Sequence, residues 1–248
     1  MEIASPTNQY VKDCAKLLQK KYRSQSGKFL IEGYKTIKEA YDYGIKIERI
    51  FVDKEYLSKY EFAQDLIIET NSTVIKKISS TESPPEAVAI GQQKKYSSEL
   101  FKTLNKVILL ENIKDSGNLG TIIRSAVAFG CDGIVLYGDC TDLYNPKCVR
   151  SSVGNLWKLP IIEIDSFDIL NSIFANYSRI ATLPRSTNFL KTFKLNTPAL
   201  LMFGSEADGL SEELINYSTD SLKIEMNKNV ESLNLASSAT IIMYELFV

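Results

Sequence analysis

Val107-Ile-Leu-Leu-Glu-Asn-Ile-Lys-Asp-Ser-Gly-Asn-Leu-Gly-Thr-Ile-Ile-Arg-Ser-Ala126 and, a few residues on, Gly133-Ile-Val-Leu-Tyr137 decide the fold class. An apolar run ending at Glu111 has strand length. The chain then passes through a glycine turn into an amphipathic helix before a second apolar run. Outward toward the carboxy terminus the alternation continues, with strands expected at Ile161-Ile-Glu-Ile, Arg179-Ile-Ala-Thr-Leu, Ala199-Leu-Leu-Met-Phe-Gly and Ser221-Leu-Lys-Ile-Glu. Short, continuously apolar runs separated by helical stretches imply an α/β fold, a mostly parallel sheet with helices on both faces.

Toward the amino terminus, Lys28-Phe-Leu-Ile-Glu and Arg49-Ile-Phe-Val-Asp are expected as strands. Tyr34 to Tyr43 is expected as a helix closed by Gly44, and Glu55 to Glu69 as another. Thr73-Val-Ile-Lys-Lys-Ile alternates like a strand, and Ala87-Val-Ala-Ile-Gly follows a Ser-Pro-Pro turn. Residues 1–95 therefore form a small α/β domain, the polar, lysine-rich stretch 96–106 a linker, and residues 107–248 a second α/β domain.

The 248 residues contain no histidine, which excludes a histidine general base, histidine metal ligands and Ser-His-Asp or Cys-His nucleophile systems. Cys14, Cys131, Cys140 and Cys148 show no paired metal-ligand spacing, so reduced thiols and no metal are expected. The start, Met1-Glu-Ile-Ala-Ser-Pro, lacks an apolar targeting segment, and no apolar run approaches membrane-spanning length. A cytoplasmic protein is expected.

Net charge is −1, but residues 1–106 carry 18 Lys+Arg against 14 Asp+Glu, and residues 107–248 carry 11 against 16. Lys12, Lys16, Lys20, Lys21, Arg23 and Lys28 crowd the first 28 residues, a pattern that suits a polyanion partner. Charge alone equally fits a solvated amphipathic helix burying Val11, Ala15, Leu17 and Leu18.

Three segments of the second domain end a strand and open a turn, where ligands bind in such sheets. The first is Glu111 to Ala126, in which Asp115, Ser116 and Asn118 are helix-capping types. Arg124, one of six arginines, lies beyond the turn beside apolar Ile122, Ile123 and Ala126, a placement that suits phosphate or carboxylate recognition. The second, Leu200-Leu-Met-Phe-Gly-Ser-Glu-Ala-Asp-Gly-Leu-Ser, places Gly204 where a ligand could approach the backbone and Glu206 where a carboxylate could fix a loop. The third runs from Lys223 through Ser232-Leu-Asn-Leu into a helix rich in small residues. Each alone reads equally as a strand–turn–helix connection. None is a G-x-G-x-x-G fingerprint, which argues against a nucleotide-dependent dehydrogenase.

Together and in this order, the three segments resemble the signature motifs of the SpoU/TrmH family of RNA ribose 2′-O-methyltransferases, in the SPOUT superfamily. The resemblance covers residues 107–248 and includes Asn145-Pro-Lys-Cys-Val-Arg-Ser-Ser-Val-Gly. More loosely, Gly27-Lys-Phe-Leu-Ile-Glu-Gly is similar to the family's ribosomal-protein-like substrate-binding domain. The resemblance implies a carboxy-terminal trefoil knot, a homodimer, and S-adenosylmethionine held at Thr182, Leu183, Gly204, Ile224, Met226 and Leu233. It implies catalytic roles for Arg124, Asn112, Glu206, Ser232 and Asn234. RNA contacts are expected from Lys12, Lys16, Lys20, Lys21 and Arg23, and from Arg150. Ribosomal RNA is favoured over transfer RNA as substrate. A non-catalytic RNA-binding or ribosome-assembly protein with the same fold is the alternative. The sequence departs from the family at Ser116, where Pro is frequent, and at Leu235-Ala236, where Val-Ser is frequent.

Overall fold

The computed structural model describes residues 1–227, 229–230 and 232–248 and divides into two compact units. The first comprises Met1–Lys94 together with Asp142–Trp157, the second Lys95–Thr141 together with Lys158–Val248.

In chain order the first unit starts with helices α1 (Gln9–Lys16) and α2 (Lys20–Ser26), strand β1 (Lys28–Glu32), α3 (Tyr34–Asp42) and β2 (Ile47–Asp53). A run of 3-10 turns (Lys54–Leu66), β3 (Ile67–Thr70), α4 (Ser72–Ile78) and β4 (Ala87–Gln92) follow. The sheet order is β1-β4-β2-β3, antiparallel except for the β2–β3 pair. Val11, Cys14 and Leu17 from the α1 side and Val74, Ile75 and Ile78 of α4 pack with Leu30, Phe51 and Ile68 of the sheet.

Two expectations fail here for local reasons. Residues 73–78 are helical, not extended: Val74, Ile75 and Ile78 are buried at helical spacing, and the Asn71 side chain caps the helix by accepting from the Val74 N–H. The expected helix over Glu55–Glu69 is broken at Tyr60 and Ala63, and its end is the strand β3, whose alternation buries Ile68 and Thr70.

The second unit begins with α5 (Ser98–Phe101), β5 (Lys106–Glu111), α6 (Ser116–Ala128) and β6 (Gly133–Tyr137). After α7 (Pro146–Ser151), which belongs to the first unit, it continues with β7 (Ile161–Ile164), α8 (Phe167–Phe174), β8 (Ser178–Thr182) and β9 (Ala199–Phe203). It ends with α9 (Glu212–Tyr217), β10 (Asp220–Leu222) and α10 (Leu235–Phe247). The strand order is β10-β8-β9-β5-β6-β7, with every pair parallel, as the apolar runs require.

The stretch 96–106 is more than a connector. Phe101 is fully buried in the second unit's core, and its carbonyl accepts the Tyr177 hydroxyl at 2.8 Å. Asp142–Trp157, conversely, is held in the first unit through Asp142 and α7.

Candidate active site

From β5 the chain of the second unit winds outward to β6 and β7, then crosses to β8, and β9 returns beside β5. Such a reversal opens a crevice at the carboxyl ends of the central strands. Glu111, Thr182 and Gly204 stand at or just past those ends, and Leu222 ends the edge strand β10 beside β8.

A polar chain joins the three motif segments there. Asp115 caps α6 by accepting the Asn118 N–H at 2.8 Å, which leaves the Asn118 carboxamide for longer-range contacts. Its Nδ2 donates to Glu206 Oε1 at 2.7 Å, and its Oδ1 accepts from Asn234 Nδ2 at 3.1 Å. Asn234 in turn caps α10, its Oδ1 accepting from the Ala236 and Ser237 amides. The structure thus brings Glu206 and Asn234 together through Asn118, a residue whose type and position in the sequence group it with the helix caps. Its signal is surplus: Asp115 alone suffices as the cap.

Glu206 projects from a tight turn in which Ser205 and Gly209 exchange backbone hydrogen bonds, each 3.1 Å. A Cβ on Gly204 would lie 1.9 Å from the Gly209 carbonyl carbon, so this glycine admits the chain's own turn, and the expected ligand approach is not what requires it. Two further ties fix the connection to α9. The buried Glu111 carboxylate accepts the Ser211 N–H at 2.7 Å, and the Tyr137 hydroxyl donates to Glu213 at 2.8 Å. Burial, then the hydrogen bond to Glu213, raises the Tyr137 pKa well above the ordinary phenol value, so the hydroxyl stays a donor.

Asn112 lies outside this chain of contacts. It sits in the left-handed region at φ 54°, and its Oδ1 accepts the Asp139 N–H at 2.9 Å while its own N–H donates to the Tyr137 carbonyl. It ties the turn after β5 to the turn after β6, while Asn118 is the residue that bonds Glu206. Arg124 is exposed on α6, six residues beyond Asn118 and so about 9 Å farther along the helix axis. Among the described residues no carboxylate pairs with it. Ser232 is exposed between β10 and α10.

Of the residues expected at a cofactor, Thr182 spends its hydroxyl on the Met202 carbonyl at 2.9 Å, and the Leu183 N–H on the Leu222 carbonyl at 2.9 Å. Leu183, Ile224 and Met226 are half-buried and Leu233 is exposed.

The expected RNA contacts divide. Lys12, Lys16, Lys20 and Lys21 are exposed, Lys16 paired with Asp13 at 2.7 Å. Arg23 does not fit: it is 2% exposed, donating from Nε to Asp142 at 2.7 Å and from a terminal nitrogen to the Leu17 carbonyl. Arg150 is half-buried, bonded to Ser80 and 3.6 Å from the buried Glu32. A counted charge says nothing of burial or partners: Arg23 is committed in the interior of the first unit, and Arg150 to partners at its half-buried edge.

Residues 105–244 match the SpoU rRNA methylase family, and residues 8–89 match the MRM3-like substrate binding domain. A tRNA/rRNA methyltransferase of Synechocystis is 31% identical over 98% of this chain and 92% of its own. The 23S rRNA (guanosine(2553)-2′-O)-methyltransferase RlmP of Bacillus subtilis is 28% identical over 99% and 98%. An AdoMet-bound rRNA methyltransferase of Sinorhizobium meliloti superposes with a TM-score of 0.88 at 30% identity, covering 99% of this chain and 96% of that one.

Proposed function

The chain belongs to the SpoU rRNA methylase family, and from that membership we propose how its second unit does its chemistry. The protein is an S-adenosylmethionine-dependent methyltransferase acting on the ribose 2′-hydroxyl of RNA. Ribosomal RNA is the favoured substrate, as for the Bacillus subtilis relative, and the protein works in the cytoplasm as a homodimer. The first unit supplies RNA affinity through Lys12, Lys16, Lys20 and Lys21.

The observation that carries the site assignment is the Glu206–Asn118–Asn234 chain at the strand ends, with Arg124, which pairs with no carboxylate among the described residues, on the same helix as Asn118. The residues fit the methyl donor. Leu183 and Ile224, just past the carboxyl ends of β8 and β10, and Met226 and Leu233 farther along the chain before α10 leave apolar surface uncovered, where an adenine needs walls and not charges. Thr182 ends β8, and Gly204 follows the end of β9, the next strand in the sheet. Bound there, S-adenosylmethionine supplies a methyl group already activated on a sulfonium.

The protein's part is then positioning and electrostatics. Arg124 holds an RNA phosphate and stabilises the oxyanion developing at the 2′-oxygen. A guanidinium is not deprotonated in proteins, so the proton goes to a phosphate oxygen or to water. Glu206, braced by Asn118, and Asn234 hold the turn and the α10 entry in register, with Ser232 beside them in sequence.

The test is transfer of labelled methyl from S-adenosylmethionine to unmodified total RNA, separated by size. The expected result is label in a ribosomal band, reduced about 100-fold or more in Arg124→Ala at unchanged donor binding. Donor binding without any transfer would favour the RNA-binding or assembly reading.

A further inference from the structure

Between Asp168 and Glu206 the catalytic unit has no acidic residue, although residues 107–248 carry 16. Within that span the segment after β8, Leu183-Pro-Arg-Ser-Thr-Asn-Phe-Leu-Lys-Thr-Phe-Lys194, holds Arg185, Lys191 and Lys194. It is firmly built. Asn188 Nδ2 donates to Asp220 Oδ1 at 2.7 Å and to the Ser221 carbonyl at 3.0 Å, and the Ser186 and Ser221 hydroxyls are 3.0 Å apart. The Lys223 N–H donates to the Asn188 carbonyl, and the Leu190 N–H to the Lys223 carbonyl. Residues 188–190 therefore run alongside Lys223 as a parallel bridge that prolongs the sheet just past β10.

Phe189, in extended conformation at this bridge, is 40% exposed, whereas Leu190, which opens a 3-10 turn (Leu190–Thr192), is 5% exposed and turned inward. The Lys223 ammonium sits 4.9 Å from the centre of the Phe189 ring. Among the described residues neither Lys191, Lys194 nor Lys223 is ion-paired; Arg185 approaches the exposed Glu212 at 3.5 Å. An outward-facing aromatic ring on a hydrogen-bonded backbone, with the Lys223 ammonium against it and Lys191 and Lys194 close in sequence, has the makeup of a single-strand nucleic-acid contact, where bases stack and phosphates are neutralised. Its location gives the contact a purpose. Lys223 precedes Ile224, one of the donor's apolar walls, and Leu183, another, begins the segment.

We propose that Phe189, with Lys223 beside it, is a stacking platform that seats an unpaired nucleobase of the RNA next to the methyl donor, with Lys191 and Lys194 meeting the adjoining phosphates. The inference rests on the RNA-methylating reading above and deepens it. It identifies where the catalytic unit itself grips the substrate strand, independently of the first unit's lysines.

The experiment compares Phe189→Ala, Phe189→Leu and Phe189→Trp with the wild-type protein on unmodified rRNA transcribed in vitro. Direct RNA binding, steady-state methyl transfer and S-adenosylmethionine binding are all measured. The expected result is a rise of about tenfold or more in the RNA Kd and KM for the Ala and Leu variants. Trp should restore the wild-type values, with donor binding, kcat and the melting temperature unmoved throughout. Lys223→Gln should weaken RNA binding and flatten its salt dependence. Wild-type RNA affinity in Phe189→Leu overturns the proposal, as does a change of oligomeric state in place of a change in RNA affinity. If the wild-type protein binds rRNA through Phe189 but transfers no methyl to it, the platform stands and the methyltransferase reading falls.

Discussion

Arg23 and Arg124 show how differently the two units use the same side chain. In the first unit Arg23 is 2% exposed, its guanidinium divided between Asp142 and the Leu17 carbonyl, and it holds the distant segment 142–157 to α2. In the second unit Arg124 is exposed, pairs with no carboxylate among the described residues, and shares a helix with the Asn118 that bridges Glu206 and Asn234. A buried cation satisfied on several sides has no valence left for a ligand; an exposed one does. The difference extends to the neighbours: Arg150 and Glu32 close on Ser79 and Ser80 inside the first unit, whereas the Asn118–Glu206 pair faces solvent.

The strongest way to break this contrast is Arg23→Ala. Removing one partner of a buried ion pair leaves Asp142 uncompensated and costs about 3–5 kcal/mol, read as a lowered denaturation midpoint. S-adenosylmethionine binding by the second unit should persist under native conditions. A variant of wild-type stability with weakened RNA binding would make Arg23 an RNA contact after all.

Next in size is Glu111. Its carboxylate takes the Ser211 N–H, so Glu111→Ala should destabilise the protein by about 1–3 kcal/mol through an unsatisfied amide. It should also lower kcat about tenfold by loosening the Glu206 turn, since misplacement of a positioned group is costly, with the KM for RNA unchanged. Glu111→Gln keeps an acceptor oxygen and should recover most of both losses. Equal defects in the two variants would show that the charge, and not the tie to Ser211, is what matters.

What the sequence made legible follows from range. The strands of the second unit were readable because a parallel sheet buried on both faces demands continuous apolar runs, as at Val107-Ile-Leu-Leu and Ala199-Leu-Leu-Met-Phe. The stretch at 73–78 reads as a strand by its alternation, yet Val74, Ile75 and Ile78 are buried at helical spacing, and the cap at Asn71 fixes the helix. Asn118 and Glu206 lie 88 positions apart, so no local pattern could pair them, and Asn112 stood closer to the strand end where a ligand group is expected. Gly204 was recognisable as a close approach, but whether to a ligand or to Gly209 depends on a turn that only the folded chain shows.

The exposed lysines sharpen the contrast more gently. Lys12→Gln with Lys20→Gln and Lys21→Gln should leave stability within about 0.5 kcal/mol, as surface substitutions do. For each RNA phosphate that is no longer neutralised, the slope of log affinity against log salt should fall by about 0.7–0.9. An unchanged slope would move the RNA footprint off α1 and α2.

Asn112 is where the smallest effect is expected and where it says most. Its φ of 54° suits glycine, so Asn112→Gly relieves a backbone cost of about 1 kcal/mol while giving up the Asp139 N–H bond, worth about as much. The Asp139 amide lies in an exposed turn, where water can take its hydrogen bond. The two effects should offset to within about 1 kcal/mol in stability, and methyl transfer should stay within about twofold of wild type. The same experiment on Asn118→Gly removes the only residue that touches both Glu206 and Asn234 among the described residues, and should cost far more in kcat than in stability. If instead Asn112→Gly abolished transfer at unchanged stability, its carboxamide would have to turn from Asp139 toward the substrate during reaction, and the division between holding and acting residues would run through a single side chain.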